Sequence, residues 1–269
     1  LVGTVTSEKV KEGVAPDNVH RLSPALAFSF RPCQEEELYL RLMYKSTFRL
    51  PTFNDLYYYR LGNRSLNPEK ANLYNLGVTW SKSGWGVLSR LSITVDGYYN
   101  DVKDKIVAFP GTFTWRMVNY GKVRATGVDA TASATISLAR GTHLILSGAY
   151  MWQKAIDLTD RESKLYKDQL PYTPLHSGNG SALLETPWVN VGYSLVGVSK
   201  RYYLEQNLPE NEIDGYLEHT LTLSRQFRLK HGSCTLRAEC INLTDEQYDV
   251  IKYYPMPGRS WRISIDYTF

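Results

Sequence analysis

Three short clusters of aromatic residues next to an arginine are the parts of this sequence best suited to hold a small ligand. An aromatic ring offers an apolar face and attracts cations, while a guanidinium offers fixed hydrogen-bond donors for anions. Each cluster also has a plainer explanation, namely packing within a loop or anchoring at a membrane surface. The candidate ligand-binding residues are Tyr57, Tyr58, Tyr59, Arg60, Phe113, Trp115, Arg116, Tyr202 and Tyr203, with Arg201 just before the last pair.

The segment from His176 to Ser181 contains the residue types of a serine hydrolase site, a histidine base and a serine nucleophile. Side chains alternate between the two faces of a β-strand, so His176 lies opposite to both Ser177 and Ser181 if this segment is a regular strand. A catalytic triad cannot be assembled from them without a bulge. We therefore predict no catalytic residues and a protein that is not an enzyme.

The acidic and thiol side chains give no metal site. The pairs Asp101 with Asp104 and Asp157 with Asp160 lack the spacing of a calcium-binding loop. The sequence has 3 cysteines, an odd number without a CxxC spacing, which indicates free thiols rather than a zinc site or a disulfide framework. We expect neither a metal nor a cofactor.

Charge and length narrow the class of protein further. The formal net charge of +4 is small for 269 residues, and the basic residues are dispersed, so a nucleic-acid partner is not expected. The chain can form one large β domain or two smaller ones. No apolar run approaches the roughly 20 residues of a membrane helix, so any membrane span must be built from strands.

The alternation of apolar and polar residues predicts about twelve strands. It is clearest from Val128 to Leu138, where eleven consecutive positions alternate. The connections alternate between tight turns and long segments, a pattern typical of membrane barrels, which have short periplasmic turns and long external loops. The long connections are predicted at about residues 48–69, 101–120, 154–172, 202–214 and 244–257.

The last strand, residues 261–269, is the most informative one. Apolar residues occupy every second position and the polar residues Arg262, Ser264, Asp266 and Thr268 lie between them. Its aromatic ends and final phenylalanine are typical of strands that close outer-membrane barrels. We predict that Trp261, Tyr267 and Phe269 lie at the membrane interface and act as an assembly signal.

Four segments resemble those of TonB-dependent outer-membrane receptors, and they occur in the family's order. The first joins the Phe48–Tyr57 stretch to Gly-Asn-Arg-Ser-Leu-Asn-Pro-Glu-Lys-Ala and the strand after it. Each of the four is moderately specific, and together they extend from about residue 20 to the end. The segments lie at residues 48–78, 119–129, 241–248 and 254–269.

This resemblance implies an all-β fold, an antiparallel transmembrane β-barrel in the bacterial outer membrane. In that family a barrel of about 22 strands encloses an N-terminal plug. Residues 1–269 would supply roughly the last 12 strands, with the plug domain and the segment that contacts TonB absent. The implied function is TonB-dependent uptake of a scarce ligand such as a siderophore, haem or cobalamin. The implied partners are outer-membrane lipid, the TonB complex through the missing part, and the barrel assembly machinery through the last strand.

Two alternatives remain open from the sequence. One is a complete twelve-stranded outer-membrane barrel, either an autotransporter translocator or a phospholipase. The other is a soluble carbohydrate-binding β-sandwich, for which the 20 tyrosines and 6 tryptophans are also suitable. The ligand itself is not encoded in any motif, because specificity in such barrels lies in the loops and the plug.

Overall fold

The computed structural model describes residues 2–6, 19–110 and 114–269, with side chains for residues 22–108 and 114–269. The chain is almost entirely β. Within these described ranges there is one α-helix, α1 Phe53–Tyr57, and Pro209–Asn211 form a 3₁₀ turn. The strands are β1 Val2–Thr6, β2 Val19–Ser23, β3 Ala25–Phe30, β4 Glu37–Arg49, β5 Glu69–Trp85, β6 Leu88–Pro110, β7 Trp115–Ala139, β8 Thr142–Asp157, β9 His176–Glu185, β10 Asn190–Val198, β11 Arg201–Tyr202, β12 Glu212–Ile213, β13 Tyr216–Leu229, β14 Gly232–Ile241, β15 Asp249–Ile251, β16 Tyr254–Pro255 and β17 Ser260–Thr268.

Eleven of these strands form one antiparallel sheet in which every long strand pairs with its neighbour in the sequence. The order runs from β3 through β10 and then β13, β14 and β17. Strands β1 and β2 form a separate pair, with β2 leading into β3 across Pro24. The short pairs β11–β12 and β15–β16 lie within long connections. The predicted all-β antiparallel fold is thus confirmed.

One face of the sheet is apolar, because cross-strand register places apolar residues opposite each other. Leu42 pairs with Leu76, Val78 with Val95, and Leu236 with Ile265. This outward belt is exposed, with 58% of Leu42 and 60% of Leu76 accessible. A soluble sheet would bury such a face, so its natural environment is lipid.

The opposite face is polar and forms its own cross-strand contacts. Thr79 and Thr94 share a hydrogen bond of 3.1 Å between their hydroxyl oxygens. The Arg41 guanidinium donates to both Asp96 carboxylate oxygens, at 3.0 and 3.1 Å. Alternation thus produces a polar lumen side and an apolar lipid side from the same strands.

The connections follow the predicted short and long pattern, with one correction. The segment predicted as a loop at residues 101–120 is instead mostly a β-hairpin, since β6 and β7 stay paired from Lys103 with Lys122 up to Pro110 with Trp115. The prediction was wrong because the alternation of apolar and polar residues, on which it relied, stops in this hairpin. Beyond the belt, the hairpin packs against loops rather than against lipid and lumen. Val102 and Val123, for instance, are almost fully buried.

The buried apolar residues all gather at the long-loop end. One cluster joins the β5–β8 strand ends to the connection after β8, and a smaller one packs the β4–β5 connection on the hairpin. Strand pairing holds the belt together, while packing holds the loop end together. The two clusters are Ala71, Val102, Tyr120, Val123, Ala155 and Leu170, and Leu66, Ile106 and Met117. No helix among the described residues is long and apolar enough to cross a membrane.

Candidate ligand-binding site

The β4–β5 connection is a folded structure. Thr52 caps helix α1: its hydroxyl accepts a hydrogen bond from the Asp55 amide at 3.2 Å, and its own amide donates to the Asp55 carboxylate at 2.8 Å. The Arg49 guanidinium lies 3.4 Å from Asp55 and 3.6 Å from Glu69, so it joins the two ends of the connection. The first of the four sequence motifs therefore encodes a braced loop.

A second motif holds this loop on the β6–β7 hairpin. The Asn119 side chain accepts a hydrogen bond from the Asn67 amide at 2.8 Å and donates to the Asp104 carbonyl at 2.7 Å. The Glu69 carboxylate accepts from the Ile106 amide at 3.0 Å. Asparagine suits this position because its amide donates and accepts at once.

The first aromatic cluster lies on the outside of this braced loop. Tyr58 and Tyr59 are 58% and 78% exposed, and the Arg60 guanidinium stands 5.1 Å from the centre of the Tyr59 ring. The Met117 amide donates to the Leu61 carbonyl at 2.8 Å, which fixes the base of the cluster. These tyrosines thus face solvent at the long-loop end.

A cavity of about 400 Å³ lies at the same end, on the inner side of the hairpin. Its walls come from three regions that are far apart in sequence: the β6–β7 hairpin, the connection after β8, and the connections around β11 and β15. A volume of this size suits a small molecule. The lining residues are Lys105, Val107, Ala108, Trp115, Tyr120, Leu170, Pro171, Tyr172, Thr173, Arg201, Val250 and Ile251.

Two aromatic side chains of the cavity lining stack on each other. The Trp115 and Tyr172 rings lie 5.9 Å apart at an angle of 30°. Nearby, the Tyr120 hydroxyl donates to the Glu205 carboxylate at 2.9 Å. Burial, reinforced by the charge of Glu205, raises the pKa of Tyr120, so its phenol stays protonated. The cavity therefore offers flat apolar surfaces for a ring-bearing ligand.

Arg201 supplies a buried positive charge to the cavity, whose lining also includes Lys105. Its residue is 5% exposed, and its Nη2 atom donates to the carbonyl oxygens of Asp249 at 2.7 Å and Val250 at 2.8 Å. The Nη1 atom is buried and has no hydrogen-bond partner among the described residues. Burial lowers the pKa of Arg201 from its ordinary value, but a guanidinium remains charged at neutral pH. A buried guanidinium with an unpaired N–H can donate a hydrogen bond to an anionic or carbonyl group of a ligand.

The loops around Arg201 are tied to each other. The Asn207 side-chain oxygen accepts from the Gln169 amide at 2.6 Å, and its amide nitrogen donates to the Gln169 carbonyl at 3.0 Å. The Tyr172 amide donates to the Tyr202 carbonyl at 2.7 Å. At the base of β11 and β12, the Lys200 ammonium donates to Glu212 at 2.8 Å. The cavity walls are thus preorganised.

The structure brings together only some of the residues predicted to bind a ligand. Trp115 lines the cavity, and so does Arg201. Tyr202 lies outside the lining, although its carbonyl accepts a hydrogen bond from the Tyr172 amide at 2.7 Å. Tyr203 packs instead against Tyr253, with ring centres 6.5 Å apart. Tyr57, Tyr58, Tyr59, Arg60 and Arg116 lie outside the lining, and Phe113 lies outside the described residues.

Tyr172 was missed by the sequence prediction. It lies in a long connection without a neighbouring arginine, so the search for aromatic–cation clusters passed over it. The available signal is its position between Pro171 and Pro174, which indicates a loop held in a defined shape. Its φ of 55° confirms an unusual backbone conformation at this site.

Of the residues predicted as an interface and assembly signal, Trp261 and Tyr267 lie on the outward face of β17, and Phe269 directly follows its last residue. Trp261 and Phe269 are 76% and 98% exposed. Tyr267 donates from its hydroxyl to the His231 carbonyl at 2.9 Å, and its ring lies 5.5 Å from that of Phe269. The outward position agrees with the predicted alternation, while the assembly role stays a prediction.

The histidine and serine of the hydrolase alternative do not meet. His176 pairs with Trp152 and Ser177 with Met151, which places the two side chains on opposite faces of the sheet. The His176 Nδ1 atom shares a hydrogen bond of 2.7 Å with the Tyr150 hydroxyl. Ser181 bonds instead to Ser147, at 2.7 Å.

The comparison with protein families decides between the alternatives. The family model "TonB dependent receptor-like, beta-barrel" matches residues 3–243. The chain belongs to the TonB-dependent receptor β-barrel family. Members of this family are transport receptors of the outer membrane rather than enzymes.

Solved structures agree on the fold. The copper transporter OprC matches with a TM-score of 0.69 and 18% identity, over 95% of the receptor chain and 41% of its own. The siderophore receptor PiuA from Acinetobacter baumannii has a TM-score of 0.69 and 16% identity, over 96% and 38% of the two chains. The unliganded ferric citrate transporter FecA has a TM-score of 0.68 and 16% identity, over 91% and 37%. The receptor chain thus spans about two fifths of the length of these relatives.

Proposed function

We propose that this chain is the C-terminal segment of the barrel of an outer-membrane receptor that imports a metal–chelator complex with energy from the TonB complex. The supporting observation is Arg201, a buried cation in the lining of an aromatic-walled cavity at the long-loop end, whose Nη1 atom has no hydrogen-bond partner among the described residues. An anionic chelate with aromatic rings matches both features. Haem or cobalamin remains the alternative cargo.

The fold similarity to copper, siderophore and ferric citrate transporters supports metal uptake as the general role. In this proposal residues 1–269 supply the last strands, while a plug outside this chain contacts TonB. The outward face contacts outer-membrane lipid, and the last strand is read by the barrel assembly machinery. In this proposal the residues that line the cavity form one wall of the path that the ligand takes.

Ligand binding is tested with the full-length receptor in detergent. Ferric catecholate, ferric citrate, haem and cobalamin are titrated separately while tryptophan fluorescence is recorded. We expect saturable quenching by a ferric chelate. Trp115→Ala should lower the affinity for that chelate roughly 10-fold, because a ring stack is worth on the order of 1 kcal/mol beyond its buried area.

Trp188→Ala is the matched control, since Trp188 is 71% exposed in the short turn between β9 and β10, at the opposite end. It should leave the affinity unchanged. Equal loss in both variants would overturn the site. If only cobalamin bound saturably, the receptor role would stand, but cobalamin rather than a metal–chelator complex would be the cargo. Uptake that persists without TonB would overturn the proposed energy source.

A further inference from the structure

A row of three lysines crosses the outward face of the sheet near its long-loop end. Lys70 on β5 pairs directly with Lys103 on β6, which pairs directly with Lys122 on β7. Like charges at directly opposite positions of an antiparallel pair repel each other. One carboxylate is close, with the Asp101 Oδ1 atom 3.7 Å from the Lys122 ammonium. Among the described residues no other carboxylate forms an ion pair with these lysines, so the row has an excess of positive charge.

The position of the row relative to the lipid belt follows from the register. Two positions from the lysines toward the belt, Asn72 pairs with Asp101 and Asp101 pairs with Arg124. Two positions closer still to the belt, Tyr74 pairs with Tyr99. Tyr44, Tyr74 and Tyr99 pack side by side, with ring centres 5.1 and 6.1 Å apart. Such aromatic rows mark the membrane–water interface. The lysines consequently stand just outside it, at the level of lipid headgroups.

Two further features of this face suit a bound headgroup. The Arg124 guanidinium lies 5.2 Å from the centre of the Tyr99 ring, and its Nε atom is buried without a partner among the described residues. A groove of about 210 Å³ opens beside Lys70 and Lys103. Its other walls include polar side chains that can donate or accept hydrogen bonds, namely Ser46, Asn72 and Asp101.

We infer that this basic row binds the phosphate groups of a phosphorylated lipid in the leaflet that the long loops face. The phosphate oxygens would lie between the lysines and relieve their mutual repulsion. The acyl chains of the same lipid would lie along the apolar belt below the tyrosines. A lipid fits better than a free anion because the charged row and the apolar belt are continuous on one face.

The experiment uses the full-length receptor stripped of lipid in a neutral detergent. Thermal unfolding is followed while a phosphorylated glycolipid, the same glycolipid without phosphates, or inorganic phosphate is added. The test variant carries Lys70→Gln, Lys103→Gln and Lys122→Gln. The control variant carries Lys164→Gln, Lys167→Gln and Lys230→Gln, which removes the same charge from exposed lysines elsewhere.

We expect the phosphorylated glycolipid to raise the unfolding temperature of the native receptor and of the control. The test variant should bind it on the order of 100-fold more weakly, because each lysine near an anionic lipid surface contributes about a fivefold effect. Without lipid, the test variant should be at least as stable as the native receptor, since it lacks the repulsion. That result separates lost binding from lost folding.

Three results would overturn the inference. The first is equal binding by the test variant and the native receptor. The second is an equal effect of the glycolipid without phosphates, which would show that the apolar belt alone accounts for binding. The third is a full effect of inorganic phosphate, which would make the row a site for free anions.

Discussion

Arg201 is the residue whose chemistry most constrains the cavity. A buried guanidinium is costly unless its donors are occupied, and here the Nη2 atom has two carbonyl partners while Nη1 has none among the described residues. In the proposed site the side chain has two tasks, to hold the Asp249–Val250 backbone and to leave one donor for a ligand. Lysine could not do both, because it lacks the planar fork of donors.

Arg201→Met should separate these tasks from general charge effects. It keeps an apolar stem but removes the charge and leaves two carbonyls unpaired, which costs about 1–3 kcal/mol of local stability. Affinity for an anionic chelate should fall roughly 10- to 100-fold, measured by titration of the full-length receptor. Arg161→Met, at an exposed loop position, is the control and should bind normally. Normal binding by Arg201→Met would contradict the role of the guanidinium.

The Lys200–Glu212 pair predicts a pH window for the β11–β12 segment. The hydrogen bond between them lowers the pKa of Glu212 and raises the pKa of Lys200. The stabilisation from Glu212 is present above its ordinary pKa of about 4.3 and is lost as pH falls through the lowered value. That from Lys200 is present below its ordinary pKa of about 10.4 and is lost as pH rises through the raised value.

Hydrogen exchange at the Tyr203 amide measures this window, because that amide donates to the Asn211 carbonyl at 3.0 Å within the segment. After correction for intrinsic exchange, protection should be constant between about pH 5 and 9 and should decrease below about pH 4. The effect is small, since exposed ion pairs are screened by water. Lys200→Gln should abolish the decrease in protection at acid pH. If the decrease persisted in this variant, another group would be its cause.

At the scale of elements, the β13–β14 turn and strand β17 depend on a single glycine. Gly232 has a φ of 146°, and a Cβ atom there would collide with the Thr268 carbonyl oxygen and lie 3.1 Å from the Phe269 Cα atom. The turn and the end of β17 are thus in direct backbone contact. No side chain fits between them.

Gly232→Ala should therefore detach the end of β17 from β14. Gly84→Ala is the matched control, since Gly84 also has a positive φ, 71°, but nothing lies within 4 Å of a Cβ atom there. Both variants place a Cβ atom at a positive φ, which is strained, and only Gly232→Ala adds a steric clash. The yield of folded receptor in outer membranes should fall for Gly232→Ala alone. Equal yields would show that β17 can shift without cost.

The two faces of β17 are tested by a second pair of variants. Ile265 lies opposite Leu236 on the outward face, and Asp266 lies opposite Thr235 on the inward face. Ile265→Arg should cost roughly 2–4 kcal/mol, because it places a charge in lipid near the middle of the belt, while Asp266→Asn should be mild. Unfolding in lipid vesicles measures both. Similar losses in both variants would contradict the assignment of the faces.

The whole molecule combines a lipid-facing belt with a packed loop end. The long-loop end contains both described clusters of buried apolar residues, and the belt exposes its apolar residues outward. The belt is stable only where lipid or detergent covers it, since an exposed apolar face of this extent drives aggregation in water. The receptor as a whole should therefore require an amphiphile to stay folded.

This requirement is measured by removing detergent from the purified full-length receptor. Circular dichroism and light scattering should show β structure and a single species in detergent, followed by aggregation when the detergent is removed. A monomeric, folded protein in plain buffer would contradict the lipid-facing belt and return the soluble sandwich to consideration.

The sequence by itself determined the strands, their two faces and the family. Period-two alternation is a local property, so a strand such as β17 and the outward position of Trp261 could be predicted from neighbouring residues alone. The four motifs were also readable, although their physical task appears only in the structure. Asn119, for instance, is one position of a motif in the sequence, and in the structure its side chain forms hydrogen bonds with the backbone of Asn67 and Asp104.

Only the tertiary structure decided where the cavity lies and which residues share it. Trp115, Tyr172 and Arg201 are brought together by loop packing over long sequence distances, and no local pattern encodes that packing. For the same reason the β6–β7 hairpin was predicted as a loop, because its buried residues face other loops rather than lipid and lumen. The lysine row likewise emerged only from strand register, since Lys70, Lys103 and Lys122 are unremarkable as single residues.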